Sequence, residues 1–300
     1  ERFVALALEK SNTQLVHMCL EDGRLNVSLI LPKQIYPISA CSEMIDLPQM
    51  QITCGVGDIE FAHLKLREML LQAIPLRARV YSAPLIVDTW GFGTHVNQDL
   101  VSKVADTAKE LELEVLTIDK GWEKIVGEWQ PGPHFHDGML GLSEITSRSG
   151  TRLGLWASLG NADPSSRVAI EHPDWIATWR GKVQVVSHRT SSLCMGHGPV
   201  IEYLAAQLAH LANNGLTWLL HDFETISRCD SELHDHPQGL GEDWAVRGWY
   251  RLLSEFRAQF SDVWIENCWN GGRPLDLQMI AHHDTTIGDD WCDVRHNAVA

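Results

Sequence analysis

The chain has 300 residues, 44% of them hydrophobic and 21% charged, which is ordinary globular composition with enough length for a sizeable core. Its formal net charge is -15, and no lysine- or arginine-rich run interrupts it. An acidic surface repels a phosphate backbone, so nucleic acid is excluded as a partner and a neutral or cationic small molecule fits better. No stretch approaches the roughly 20 apolar residues of a membrane helix. The opening ERFVALALEK has no basic segment ahead of an apolar one and does not read as a signal peptide. The 7 cysteines are scattered, odd in number and without a CxxC pair, which argues against a disulfide scaffold or a zinc knuckle and for reduced thiols in a cytoplasmic protein.

Residues 1–74 read as the end of an all-β sandwich domain followed by a linking helix. FVALALEK, QLVHMCLEDG, NVSLILP and MQITCGVG are strand-like runs broken by Gly, Pro, Asn and Asp. FAHLKLREMLLQAI then has apolar residues at helical spacing and stops at Pro75.

Residues 75–300 alternate strand, loop and helix. PLIVDTW is the first strand, and a helix from Gln98 to Leu111 follows Asn97, a suitable N-cap. EVLTIDKGW is the second strand. A loop rich in Gly, Pro and His leads to a helix that Gly150 stops. TRLGLWASLG is the third strand, followed by a long excursion over 161–195 and a helix from Val200. LTWLLHDFE is the fourth, a helix over 243–260 comes next, VWIENCW is the fifth, and IAHHDTTIGDD holds the sixth and weakest element. Polar residues gather at the C-terminal ends of these strands, which favours a (β/α)8 barrel over a doubly wound sheet. Too few strands are present to close it, so the barrel reads as incomplete and the chain as a fragment of a longer enzyme.

The strand ends carry the chemistry. Asp222 leaves an apolar strand for the barrel mouth, where a nucleophilic carboxylate must be fixed, partly desolvated and ionised; a helix cap is an equally good local reading. Asp289 and Asp290 are adjacent like charges, which pushes one pKa upward and suits a general acid, although a plain acidic turn has the same look. Asp119 precedes Gly121 and Trp122 in a turn-like segment, and a carboxylate with a tryptophan face can read a sugar. Glu266, Cys268, Gly271 and Gly272 sit together at a strand end, where paired glycines admit a ligand close to backbone. A metal-dependent barrel hydrolase is the competing enzyme, motivated by His134 with His136 and by His282, His283 and Asp284.

Taken in order, these segments resemble glycoside hydrolase family 36, the retaining α-galactosidases and their relatives. PLIVDTW is similar to that family's Asn-Thr-Trp strand end, IDKGW to Asp-Asp-Gly-Trp, and EHPDW to His-Pro-Asp-Trp. LLHDFE stands where the family has Lys-Trp-Asp, IENCWNGGRPLD resembles Glu-x-Cys-x-x-Gly-Gly-x-Arg-x-Asp, and IGDDW resembles the motif that holds the acid/base. The resemblance implies Asp222 as nucleophile and Asp289 as acid/base. It implies a sugar subsite lined by Asp119, Trp90, Cys268, Gly271, Gly272, Trp122, His221 and Arg189. It further implies an α-linked oligosaccharide or glycoside as substrate, no cofactor, no metal and a homo-oligomer when full length. The departures are Lys120 for the second aspartate, His221 for tryptophan, Leu220 for lysine and Gly288 for serine. They motivate the third reading, a carbohydrate-binding pseudoenzyme.

Overall fold

A computed structural model describes residues 2–8, 15–30, 50–72, 84–186, 189–222, 226–269, 276–288 and 290. The first region pairs β1 (Arg2–Leu8) with β4 (Met50–Val56), and β2 (Leu15–Glu21) with β3 (Arg24–Ile30), both antiparallel. Helix α1 (Ile59–Leu70) starts where the Asp58 carboxylate accepts the Phe61 amide at 2.9 Å. Pro75, the expected stop, lies outside the described residues.

The second region repeats one unit. Strand β5 (Ile86–Asp88) leads through α2 (Gln98–Glu110) to β6 (Val115–Ile118), and α3 (Gly138–Ser149) leads to β7 (Arg152–Ser158). Then α4 (Gly198–Asn213) leads to β8 (Leu216–Asp222), α5 (Gly241–Gln259) to β9 (Trp264–Asn267), and α6 (Leu277–His282) to β10 (Thr285–Thr286). The strands form one six-stranded sheet in chain order, every neighbouring pair parallel. Parallel neighbours with a helix in each connection are the βαβ crossover that builds a barrel wall. Among the described residues the sheet ends on β5 and β10 without closing. This is the incomplete (β/α) barrel that the strand rhythm predicts.

Local signals fix the helix ends. Asn97 Oδ1 accepts the Leu100 amide at 2.9 Å, and Gly150 takes the left-handed conformation with φ 76° after α3. The strands between the two edges are buried on both faces. Leu116, Ile118, Leu153, Leu155, Leu216 and Leu219 join one apolar cluster with side chains of α2, α3, α4 and α5. Three short antiparallel strand pairs decorate the loops: 123–125 with 128–131, 161–162 with 191–192, and 178–179 with 182–183. Those runs are too short for a period to be legible, so the sequence reads them as loop. Among the described residues no helix is long and apolar enough to cross a membrane.

Candidate active site

Because the strands are parallel, all their C-terminal ends lie on one rim. Side chains alternate between the interior of the sheet and the helix layer. The register sets Asp88 beside Thr117, Asp222 beside Ser158, and Glu266 beside Leu220. Asp222 therefore shares the inner face with Leu220 and Trp218, while His221 and Leu219 face the helices.

The inner face is a layered set of acids and indoles. Trp156 Nε1 donates to Asp222 Oδ2 at 3.1 Å, and Trp122 Nε1 donates to the Trp156 carbonyl at 2.8 Å. Trp218 Nε1 donates to Glu266 Oε2 at 2.7 Å. The Asp119 amide donates to Thr89 Oγ1 at 2.8 Å, and its carboxylate caps the Lys120 amide. Asp88 Oδ1 accepts the Trp90 amide at 2.6 Å as the chain turns through Thr89–Phe92. Glycine is needed at Gly121, whose φ is 110° and whose Cβ would fall 2.3 Å from the Thr94 carbonyl oxygen.

The acids perturb one another. Burial pushes the Asp119 carboxyl up to about 8, and the Asp88 and Asp222 carboxylates add to the rise. Burial raises Asp88 to about 6, against the pull of the Trp90 amide. Burial raises Glu266 to about 7, opposed by the Trp218 indole and reinforced by Asp88. Asp88 and Glu266 lie on strands that a flat sheet would hold about 19 Å apart. Their mutual influence reflects the curl of the sheet.

The expected site residues divide sharply. Asp119, Asp222 and Cys268 stand on the rim, and Trp90, 40% exposed, stands beside them on the turn after β5. Cys268 Sγ is 4.0 Å from Asp290 Oδ1, which brings the acidic pair's segment to the end of β9. Asp289, Gly271 and Gly272 lie outside the described residues. Two of the expected residues are fully buried. Trp122 is 0% exposed and supports Trp156, its indole N–H donated to the Trp156 carbonyl. His221 points into the helix layer, with Nδ1 3.0 Å from His283 Nε2 and its ring 5.1 Å from that of Trp249. It packs the wall behind Asp222. Arg189 is exposed at φ 62° on the excursion that follows β7.

Two acids that belong to the site were not singled out as its ligands. Asp88 reads as part of a hydrophobic strand end, and Glu266 as one member of a polar segment; only the inward register identifies them. The lysine at 120 packs 5.6 Å over the Trp156 ring.

The histidines of the metal-hydrolase reading do not gather. His134 and His136 are exposed on either side of the buried Phe135. His282 stacks on Tyr250, His283 meets His221, and Asp284 forms an ion pair with Arg257 at 3.1 Å.

The comparisons with known proteins follow the same lines. A family model described as Melibiase matches residues 51–298. The chain belongs to the Melibiase family. A probable α-galactosidase G of Emericella nidulans is 25% identical over 92% of the chain and 39% of its own length. The α-galactosidase AgaA of Geobacillus stearothermophilus is 24% identical over 70% of the chain and 30% of its own length. A structure of a variant of that enzyme, glycoside hydrolase family 36, in complex with stachyose superposes with a TM-score of 0.84 at 18% identity. It covers 97% of the chain and 43% of the enzyme. An α-galactosidase from Lactobacillus brevis superposes at 0.83 with 18% identity, covering 99% and 42%. The chain thus spans less than half the length of these relatives.

Proposed function

We propose that this chain carries the greater part of the catalytic barrel of a retaining α-glycoside hydrolase of the α-galactosidase type. The observation that supports it most is the inward-facing Asp222, held by the Trp156 indole at the end of the fourth strand beside a second buried aspartate. An indole N–H donated to one carboxylate oxygen orients the group and favours its ionised, nucleophilic form. Membership of the Melibiase family adds the substrate class.

The reaction runs in two displacements. Asp222 attacks the anomeric carbon, the glycosidic C–O bond breaks, and Asp289 gives its proton to the leaving oxygen. Water then attacks the glycosyl ester, Asp289 takes its proton, and the Asp222 carboxylate is freed. A retaining enzyme holds the two carboxyls about 5–5.5 Å apart.

Asp88 and Asp119 form the sugar-reading pair. With Asp119 raised to about 8 and Asp88 to about 6, the pair holds about one proton near neutrality. A protonated carboxyl donates and its ionised neighbour accepts, which matches adjacent sugar hydroxyls. Against the family 36 motifs that the sequence resembles, Asp88 stands at the asparagine of Asn-Thr-Trp and Lys120 at the second aspartate of Asp-Asp-Gly-Trp. The acid lost at one position is supplied at the other. Trp90 offers an apolar edge to the sugar C–H face.

The test is hydrolysis of aryl α-glycosides (galactoside, N-acetylgalactosaminide, glucoside, xyloside) by the full-length protein, with Asp222→Asn and Asp289→Asn in parallel. Turnover of the galactoside that collapses in both variants is the expected result. An Asp222→Asn variant with most of its activity would overturn the assignment. Sugar binding without turnover by the well-folded parent would replace it with a carbohydrate-binding protein.

A further inference from the structure

A second constellation has no part in the sugar site. Cys194 follows the short strand Ser191–Ser192, and Cys229, His234 and His236 lie on the connection between β8 and α5. One donor atom from each of the four falls within 4.8 Å of all the others, and all four residues are buried. Two sulfurs and two imidazole nitrogens at mutual contact are the donor set of a tetrahedral thiophilic metal site.

The surroundings hold these donors in place. His234 Nδ1 is 3.1 Å from Cys229 Sγ, while its Nε2 meets the Asp174 carbonyl oxygen at 2.5 Å. An Nε2–H donated to that carbonyl fixes the tautomer that leaves Nδ1 free for a ligand bond. The His234 ring stacks on His197 at 4.8 Å, and His197 is anchored to Asp235 at 3.1 Å. Asp235 also accepts the Gly198 amide at 2.7 Å, so the turn between the two histidine ligands is tied to the start of α4. A Cβ at Gly241 would fall 2.1 Å from the Cys229 carbonyl oxygen, so the start of α5 presses directly on the cysteine.

His236 supplies the independent observation. It is 4% exposed, its Nδ1 lies 3.3 Å from the Pro237 carbonyl oxygen, and its Nε2 is buried with no hydrogen-bond partner. A buried imidazole nitrogen without a partner is costly, and a metal ion at the centre of the cluster removes the cost.

We propose that Cys194, Cys229, His234 and His236 bind one structural zinc ion. Binding replaces the two thiol protons, which are released to solvent, and two thiolates with two neutral imidazoles then neutralise the dication. With all four positions filled by protein, the site is closed and has no catalytic water. Its role is mechanical. It clips the connection that follows the Asp222 strand to the excursion that follows β7, and so braces one side of the rim.

The full-length protein, purified without chelators or a metal-affinity step, should hold about one zinc per chain by mass spectrometry of the metal. Cys229→Ser and His236→Ala should fall to less than about a tenth of that, while Cys54→Ser, exposed on β4 and outside the four-residue cluster, should retain it. Metal-stripped parent protein titrated with cobalt(II) should develop a thiolate-to-metal charge-transfer band and intense visible bands of tetrahedral cobalt. The cobalt spectrum decides the matter even where a variant does not fold. Parent protein with no bound metal and no cobalt charge-transfer band would overturn the proposal, as would a Cys229→Ser variant that holds zinc as well as the parent.

Discussion

The two regions of this chain use apolar residues in opposite ways. In the barrel segment Leu116, Ile118, Leu155, Leu204 and Leu219 are sealed between sheet and helices. In the β-rich segment Met18, Leu20, Ile52 and Val56 stand open among the described residues, Leu20 at 73% exposure. The hydrophobic contribution scales with apolar area removed from water, roughly 25 cal/mol per Å². The barrel segment therefore derives its stability from its own packing. The antiparallel pairs are held chiefly by their ladders and by the edge-to-face contact of Phe3 with Phe61 at 6.0 Å.

The sharpest way to separate the regions is activity. Asp222→Asn should lower kcat by about a thousandfold or more with secondary structure unchanged, while Leu20→Ser should leave kcat within about twofold. Circular dichroism alongside steady-state rates checks both. Comparable losses in the two variants would break the separation of chemistry from the β-rich segment.

Stability gives the next contrast. Leu219→Ala, deep in the barrel, should cost about 2–5 kcal/mol in denaturant unfolding. Ile52→Ala should cost about 0.5 kcal/mol or less if its face is as open in the whole protein. A loss at Ile52 that rivals Leu219 would mean that another part of the full-length protein covers this face.

Charge sets a third contrast, because the raised carboxyls Asp88, Asp119 and Glu266 all sit in the barrel. A carboxyl with a raised folded-state pKa binds its proton more tightly when folded. Its contribution is complete below the unfolded pKa and is lost as pH rises through the folded value. Stability should fall from about pH 4 to about pH 8, and Asp119→Asn should flatten that slope. Thermal melts across this range would show it. A slope unchanged in Asp119→Asn would place the raised group elsewhere.

Helix caps offer the smallest effect and the fairest control. Asp58 caps α1 and Asn97 caps α2, each with a side-chain oxygen 2.9 Å from a backbone amide. Alanine at either should cost about 1 kcal/mol. A much smaller loss at Asp58 would show that α1 adds little to the cooperative unit.

Much of the site was legible because position along a parallel strand implies position on the rim. Asp119 and Asp222 could be read from strand ends alone. The burial of His221 and Trp122 could not, because a motif gives sequence neighbours and not the face a side chain takes. One residue of register separates His221 from Asp222 and puts them on opposite sides of the sheet. That Asp88 and Glu266 influence one another was hidden for the converse reason. They lie on distant stretches of sequence, and only the curled sheet brings their charges together.

The cysteines and histidines teach the same lesson at longer range. His134 and His136 have an attractive local spacing yet lie exposed on a loop. His234 and His236 have the same spacing and meet Cys229 nearby in the chain, but the fourth donor, Cys194, precedes β8 and α4. The sequence by itself determined the alternation of strand and helix, the caps, and which strand ends are acidic, because each depends on periodicity or local backbone chemistry. The tertiary structure alone decided which acids come together, which aromatic rings face the mouth and which sulfurs meet which imidazoles. Those outcomes depend on strand register and sheet curvature, which arise only when every element is packed at once.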